Sequence, residues 1–434
     1  MQGLQRRLSL YGLTMIVIGS CIGSGIFITP SDVASHLQVP IYILFIWLAG
    51  GIVSMFGALS FSELGAMYPK SGGVYVYLKE AYGPLVGFLY GWVMLFIINT
   101  GALAALSIAF ADFLSFFYEF TQFQKQLIGV CLILSLTAIN LTGVSVSQLL
   151  ASTFSGIKIL AIIVLLIVGL FFGTEGTEIF TLPTGETDIG IKPILFAFVG
   201  VFWSFGGWHH ATYLSGEAIK PQKNVPKSIV IGTLAVTLLY IFANIAYLLL
   251  LPMDAITGST RIAGDAVAQV ISGGGKIVTI LISISIFGTI AIYTMSAPRI
   301  YFAMAKDGVF FPQLAKIHKK YSTPYIAMIF QAIWACLLIL FWGSFIKVIT
   351  FVTFMDIVFM MLAGAALFVL RKKKPDVPRP YKALGYPVIP FLFVLVTAAF
   401  VVNLIISMSV ESLYGLVILF LGIPVFYFFQ KNSK

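Results

Sequence analysis

The sequence predicts an all-α integral membrane protein of twelve spanning helices, forming one membrane body over residues 1–434. Three observations carry this. Hydrophobic residues make up 59% of the chain and charged residues only 10%, against about 25% charged in an ordinary soluble protein. Apolar runs long enough to cross a bilayer core, about 20 residues each, recur from residue 9 to residue 430 with no polar domain between them. The basic residues collect between alternate runs, which is the pattern of membrane topology. A nucleic-acid face would instead interleave them with exposed aromatics, so the net charge of +10 implies no nucleic-acid partner.

In chain order the spans are read at 9–34, 40–66, 85–117, 126–144, 149–173, 193–216, 226–252, 276–305, 325–342, 346–370, 388–409 and 412–430. The third and eighth are longer than a bilayer requires, an excess that tilt or extension beyond the bilayer accommodates. An even count puts both termini on one side. Placing the amino terminus in the cytoplasm puts 20 of the 26 Lys and Arg at inner ends and loops, including Arg6, Arg7, Arg299 and the run Arg371-Lys372-Lys373-Lys374. Five lie outside (Lys125, Lys192, Arg261, Lys276 and Lys347), and Lys158 lies within a span. The longest outer loop, 174–192, is acidic, with Glu175, Glu178, Glu186 and Asp188. The positive-inside rule therefore predicts a multi-pass protein of the cytoplasmic membrane, surrounded by lipid, with both termini cytoplasmic.

The first span reads as a retained helix, because no small-residue cleavage site and polar mature domain follow Arg6-Arg7. Cys21, Cys131 and Cys336 all fall in apolar runs without zinc-ligand spacing. No phosphate-binding glycine loop, His-Glu-x-x-His or nucleophile elbow occurs. Neither enzyme chemistry, a metal nor a cofactor is expected.

Two spans contain stretches that hold a helix poorly. In the first, Gly19-Ser20-Cys21-Ile22-Gly23-Ser24-Gly25 sits near mid-span. It fits either close helix packing through Gly19-x-x-x-Gly23 or unwound backbone, which is tolerated at that depth only beside a cavity or inside protein. In the sixth, Ser204-Phe205-Gly206-Gly207-Trp208 lies at comparable depth and fits a packing kink or a second break. Glycine-interrupted helices in corresponding positions of two halves point to inverted repeats around a central site, here helices 1–5 and 6–10. Half-helix amino termini offer free N–H groups to a carboxylate, and freed carbonyls suit an ammonium. An amino acid carries both.

The chain resembles the amino acid-polyamine-organocation superfamily. The resemblance rests on Gly23-Ser24-Gly25-Ile26-Phe27, Tyr68-Pro69-Lys70-Ser71-Gly72-Gly73, Gly216-Glu217 through Asn224-Val225-Pro226, and Ala305-Lys306-Asp307-Gly308. Within the superfamily it is most similar to bacterial members of the L-type amino acid transporter family, which include serine/threonine exchangers. The resemblance covers nearly the whole chain. It implies a single transporter domain with the LeuT-type 5+5 inverted repeat, discontinuous helices 1 and 6, and alternating access. Repeat one would cover about 9–173, repeat two about 193–370, and two accessory helices about 388–430.

Carried over position by position, the resemblance makes Ser20, Gly23, Ser24 and Gly25 a carboxylate cradle and the carbonyls of Trp203, Ser204 and Gly206 the ammonium acceptors. Trp203 aligns with an aromatic that closes over substrate, against the alternative of a packing aromatic. Trp208 reads as packing. Helix eight offers Ser285, Thr289, Tyr293 and Ser296 on one face, which should point into the bundle because a polar stripe in lipid is costly. Tyr293 falls near a position that lines the side-chain pocket; Asn99 and Thr100 in helix three can reach the same cavity or instead serve as interhelical hydrogen-bonding residues with no substrate role.

Lys158 lies about 13 Å inside its span at 1.5 Å per residue, too deep to reach water easily. It reads either as a functional charge or as a lysine bridging backbone carbonyls, and the resemblance makes its ammonium a built-in substitute for the cation of sodium-coupled relatives. Asp356 is the other isolated midspan charge, read as an outer-gate group or a coupling site. His209 and His210 are adjacent, about 100° apart on a helix, which is poor geometry for chelating one metal. Glu63 and Glu217 read as hydrogen-bonding anchors at the inner surface.

The expected function is sodium-independent exchange of neutral L-amino acids, with proton-coupled symport as the alternative that Asp356 keeps open. Helices one, three, six and eight supply no midspan carboxylate, which disfavours cationic amino acids and polyamines, although a guanidinium can stack on Trp203. Residues 118–125 hold no cysteine, so the covalent heavy-chain partner of animal relatives is not expected.

Overall fold

The computed structural model describes residues 4–175, 180, 190–341, 345–407 and 409–432. Glu178, Glu186 and Asp188 of the acidic loop, and Lys434, lie outside the described residues. Among the described residues every extended element is helical, and the single β-bridge pairs Leu8 with Ala218.

The first expected span is two helices, α1 (Leu10–Cys21) and α2 (Gly25–Leu37). Ser9 caps α1 by accepting the Gly12 N–H at 3.1 Å. Next come α3 (Pro40–Met67) and the short α4 (Val74–Tyr82). The third span comprises α5 (Pro84–Val93), a π-helical turn at Met94–Ile98 and α6 (Asn99–Leu114). Then follow α7 (Gln122–Leu141) and α8 (Val144–Phe172). The sixth span is α9 (Ile191–Phe205), a break, and the four-residue α10 (His210–Tyr213). After α11 (Pro221–Leu250), two short helices, α12 (Met253–Gly258) and α13 (Ile262–Ala268), occupy a connection that showed no such signal in the sequence. The eighth span turns at Ala297-Pro298, where α14 (Gly274–Ser296) gives way to α15 (Pro298–Lys306). The chain ends with α16 (Tyr325–Phe341), α17 (Phe345–Lys373), α18 (Val388–Ser407) and α19 (Ser409–Asn432).

Among the described residues eight helices are long and apolar enough to cross a bilayer, and nine if α1 and α2, bent by 41°, are one broken span. Ile191–Phe205, Tyr325–Phe341 and Gly415–Lys431 are shorter apolar helices. The protein is thus an all-helical, multi-pass membrane protein. Its centre is built from α1, α6, α8, α11 and α14: α11 packs on α3, α1 and α8, and α14 packs on α6, α8 and α1. The two broken helices cross, with α2 against α9 and α1 against α10, so both interruptions fall at the heart of the bundle.

At the end of the bundle that carries Arg7, buried ion pairs clamp the helix ends. Glu217 and Arg299, both fully buried, make a two-bond pair at 2.6 and 3.0 Å. The Arg7 and Leu8 N–H groups donate to the Glu217 carbonyl at 2.8 and 2.9 Å. Glu63 accepts from Arg371 at 3.0 and 2.6 Å and from the Ala383 N–H at 2.7 Å. These contacts make both glutamates structural anchors.

Candidate functional site

A helix interrupted inside protein leaves carbonyls at its carboxyl end that need donors. The end of α1 meets that need with side chains from three other helices. Lys158 on α8 donates to the Gly19 carbonyl at 2.8 Å, the Ile22 carbonyl at 2.5 Å and Thr289 Oγ1 at 2.7 Å. Thr289 on α14 lies 3.0 Å from both of those carbonyls, and Ser285 lies 3.3 Å from that of Ile22. The hydroxyl of Tyr293 points to the Ser20 carbonyl at 3.4 Å, and that of Tyr240 on α11 donates to the Cys21 carbonyl at 2.8 Å. The helix-eight stripe therefore faces the break. The Lys158 ammonium sits at the negative end of the α1 dipole, where a cation is favoured.

The two breaks are also joined directly. Ser20 Oγ donates to the Gly207 carbonyl at 2.8 Å, and Cys21 Sγ to that of Phe205 at 3.4 Å. Gly207 has φ +107°, a region that glycine enters without strain, and a Cβ there would lie 2.8 Å from the Ser20 carbonyl oxygen. Gly25 is equally constrained: a Cβ would fall 2.8 Å from Ser204 Cα. At Gly25 the missing side chain thus makes room for α9. Gly23 differs, because its nearest neighbours would be Thr289 Oγ1 at 3.5 Å and Leu106 Cδ2 at 3.6 Å, ordinary contact distances.

A cavity of about 60 Å³ lies against these breaks. Of the expected site residues, Ser20, Gly23, Ser24, Gly25, Asn99, Trp203, Gly206, Tyr293 and Asp356 line it, whereas Ser204 and Lys158 are not among the lining residues. The Ser204 carbonyl, expected to accept a substrate ammonium, already accepts from Tyr240 at 2.7 Å, and the Trp203 carbonyl accepts the Gly206 N–H at 3.1 Å. The first turn of α2, whose N–H groups have no acceptor within the helix, borders the cavity at Gly25. Trp208 packs in the core at 4.8 Å from Phe61. Both histidines line the cavity, with His210 stacked at 4.3 Å on Tyr293 and Nδ1 2.6 Å from Ser296 Oγ. No group of His, Cys, Asp and Glu suited to a metal occurs among the described residues.

Sequence reasoning missed part of the wall: Met94, Ile98, Phe202, Val352, Thr353 and Ile357. Met94 and Ile98 bound the π turn. There Thr100 Oγ1 donates to the Leu95 carbonyl, five residues back, at 2.6 Å, and Asn99 begins the helix beyond. Such turns recur at functional sites because they swing side chains out of the α-helical register.

A multi-pass helical bundle with a small cavity between two interrupted helices has the build of a membrane carrier. Comparison with known proteins makes this specific: the amino acid permease family model matches residues 8–429, and the chain belongs to that family. It is 31% identical to a serine/threonine exchanger, SteT, of Bacillus subtilis, over 99% of this chain and 98% of the relative. It is likewise 31% identical to the large neutral amino acids transporter small subunit 2 of Homo sapiens, over 99% of this chain and 82% of the relative. The b(0,+)-type amino acid transporter 1 of Mus musculus is 30% identical over 98% and 88%. The protein is an amino acid transporter of the L-type group rather than an enzyme.

Proposed function

We propose that this protein exchanges neutral L-amino acids across the cytoplasmic membrane by alternating access and without sodium. The observation that carries the reading is the Lys158 ammonium seated on the Gly19 and Ile22 carbonyls of the broken helix. A fixed cation there supplies the charge that a bound sodium ion would otherwise supply, and lysine carries it on a stem long enough to reach from α8. The nine spans and the three shorter apolar helices add up to twelve. The breaks of α1/α2 and α9/α10, five spans apart and in mutual contact, support inverted repeats over about 9–173 and 193–370, with accessory helices over about 388–430. The Lys/Arg distribution supports both termini lying in the cytoplasm. The cysteine-free connection at 118–125 supports function without a covalent heavy chain.

In this reading Ser20, Gly23, Ser24 and Gly25 hold the substrate carboxylate, and the carbonyls of Trp203 and Gly206 hold its ammonium. Ser204 contributes through its bond to Tyr240. Trp203 covers the substrate, and Asn99 and Tyr293 shape the pocket. Proton-coupled symport is the second reading, favoured by one observation: Asp356, a carboxyl that can take up a proton, lines the cavity.

Purified protein in liposomes decides between them. Exchange predicts uptake of labelled amino acid that is stimulated by internal amino acid, unchanged when choline replaces sodium, and indifferent to an imposed proton gradient. Gradient-driven accumulation into empty liposomes would establish symport instead, and an absolute sodium requirement would refute the role given to Lys158.

A further inference from the structure

We propose that Arg371, Arg379 and Lys382 form a binding site for the phosphate of an anionic membrane phospholipid, apart from the central cavity and at the end of the bundle that carries Arg7. The basic run Arg371-Lys372-Lys373-Lys374 closes α17, and the connection from there to α18 holds Pro375, Pro378, Pro380 and Pro387. Each proline fixes one backbone dihedral. Arg379 ties this connection back onto the helix end: Nη1 donates to the Pro375 and Val377 carbonyls at 2.7 and 2.9 Å, and Nη2 to those of Leu370 and Lys374 at 3.2 and 2.9 Å. The loop is thereby held in one shape. It walls a pocket of about 360 Å³ lined by Arg371, Pro375, Val377, Arg379 and Lys382. Three of these five are cations, and Asp376, the only acid between residues 371 and 387, is not among them.

The positive charge there is not cancelled. The buried Glu63 carboxylate is shared, since Arg371 donates to it through Nε and Nη2 and Arg379 Nε lies 3.3 Å from its Oε1. Two guanidiniums against one carboxylate leave one positive charge. Lys382 adds a second: among the described residues its ammonium has no hydrogen bond or ion pair, and Arg371 Nη1 likewise has no acceptor. Arg371 is also steadied by stacking 3.6 Å from the Tyr386 ring. A phosphate offers oxygens to a guanidinium edge and an ammonium together, and basic pockets at the ends of spanning helices suit anionic head groups. The chain beyond the pocket makes the phosphate a lipid's. Leu384, Val388, Phe391 and Leu395 are largely exposed, and the last three recur at helical spacing on one face of α18, a row open to acyl chains. The neighbouring lysines differ. Lys373 donates to the Ala81 carbonyl and Lys374 pairs with Glu80, while Lys372 is exposed and unpartnered among the described residues but does not line the pocket.

Native mass spectrometry of the full-length protein in detergent, titrated with phosphatidylglycerol or with phosphatidylcholine of the same acyl chains, reads the binding directly. Phosphatidylglycerol is expected to bind at least about fivefold tighter, because the trimethylammonium of phosphatidylcholine brings a further cation to a positive site. Lys382→Gln should weaken phosphatidylglycerol about fivefold, the worth of one cation beside an anionic lipid, and leave phosphatidylcholine unchanged, while Lys382→Arg keeps the preference. Lys372→Gln removes the same charge outside the pocket and should leave both lipids unchanged. Both lysines are exposed and unpartnered, so neither variant loses a contact within the fold, and melting temperatures in detergent check this. Inorganic phosphate and glycerophosphoglycerol, which carry the anion without the chains, should fail to displace the lipid. Equal binding of the two lipids, unchanged affinity in Lys382→Gln, or an equal loss in Lys372→Gln, the mark of diffuse attraction to a basic surface, would each overturn the site. Displacement by inorganic phosphate would overturn the lipid as its ligand. The measurement involves no transport, so its failure and a failure of the exchange reading are separate results.

Discussion

Replacing Lys158 by methionine keeps a long apolar stem on α8 and removes three hydrogen bonds, to the Gly19 carbonyl, the Ile22 carbonyl and Thr289 Oγ1. Thr289 has one hydroxyl proton and can serve only one of the two carbonyls at a time, and Ser285 is 3.3 Å from that of Ile22, a long bond. One carbonyl loses its donor and the other keeps a weaker one. At about 1–3 kcal/mol for each buried acceptor so weakened, the broken geometry of α1 loses about 2–5 kcal/mol relative to alternatives that re-pair the backbone. The variant also sheds the desolvation cost of a buried ammonium, itself several kcal/mol. Global stability therefore changes little, while the break and the Ser20–Gly25 segment that lines the cavity shift. With 1.4 kcal/mol per factor of ten, the lower figure slows exchange about 30-fold. The assay is initial exchange rate in liposomes, normalised to folded protein, beside the melting temperature in detergent. Exchange within about threefold of wild type would refute the reasoning. A collapse of the melting temperature would refute it differently, by making Lys158 a strut for the whole bundle.

Four further substitutions separate packing from binding. Gly25→Leu places a side chain where even Cβ would lie 2.8 Å from Ser204 Cα, so loss of folded protein on size-exclusion chromatography is expected. Gly23→Ala meets nothing closer than 3.5 Å, and it should fold normally yet raise the half-saturation concentration for exchange. Trp203→Leu should slow exchange or broaden the competition profile, because a smaller cover admits water and larger side chains; an unchanged rate and profile would remove Trp203 from the site. Arg299→Met strands the fully buried Glu217 carboxylate, a loss of about 3–5 kcal/mol when one partner of a buried pair is removed. Its melting temperature should fall, and adding Glu217→Gln should recover part of the loss.

Most of the helical plan was legible because bilayer spans announce themselves by length and polarity. The breaks were legible because glycine and serine are conspicuous inside apolar runs: the expected stretches at 19–25 and 204–208 contain the interruptions after Cys21 and Phe205. The π turn at Met94–Ile98 was not, because an apolar run of helix formers looks the same with or without an extra residue in one turn. Its only trace is Thr100, whose hydroxyl takes the Leu95 carbonyl. Ser204 shows another limit. Composition exposes a carbonyl at a break but says nothing of the tyrosine, 36 residues on, that already occupies it. At Gly25 composition signals a close approach without naming what approaches, and the structure puts α9 there, with Ser204 Cα 2.8 Å from where a Cβ would lie.

Lys158 and Asp356 stood out together in the sequence as the two isolated midspan charges, and the structure gives them unlike surroundings. Lys158 is consumed: every carbonyl from Gly19 to Ile22 at the end of α1 has a side-chain donor, from α8, α11 or α14. Among the described residues Asp356 Oδ1 has no partner, nor do Asn99, Thr353, Ser24 Oγ and His209 Nδ1 beside the same cavity. A polar group that is fully paired within the fold has little left to offer a ligand, whereas a buried group without a partner is stabilised by any ligand that brings one. The groups without a partner lie on both sides of the cavity, Ser24 and His209 at the breaks and Asn99, Thr353 and Asp356 on α6 and α17. On the proposed reading, substitutions at these unpartnered groups should change which amino acid is carried, while substitution at Lys158 should change whether any is carried at all.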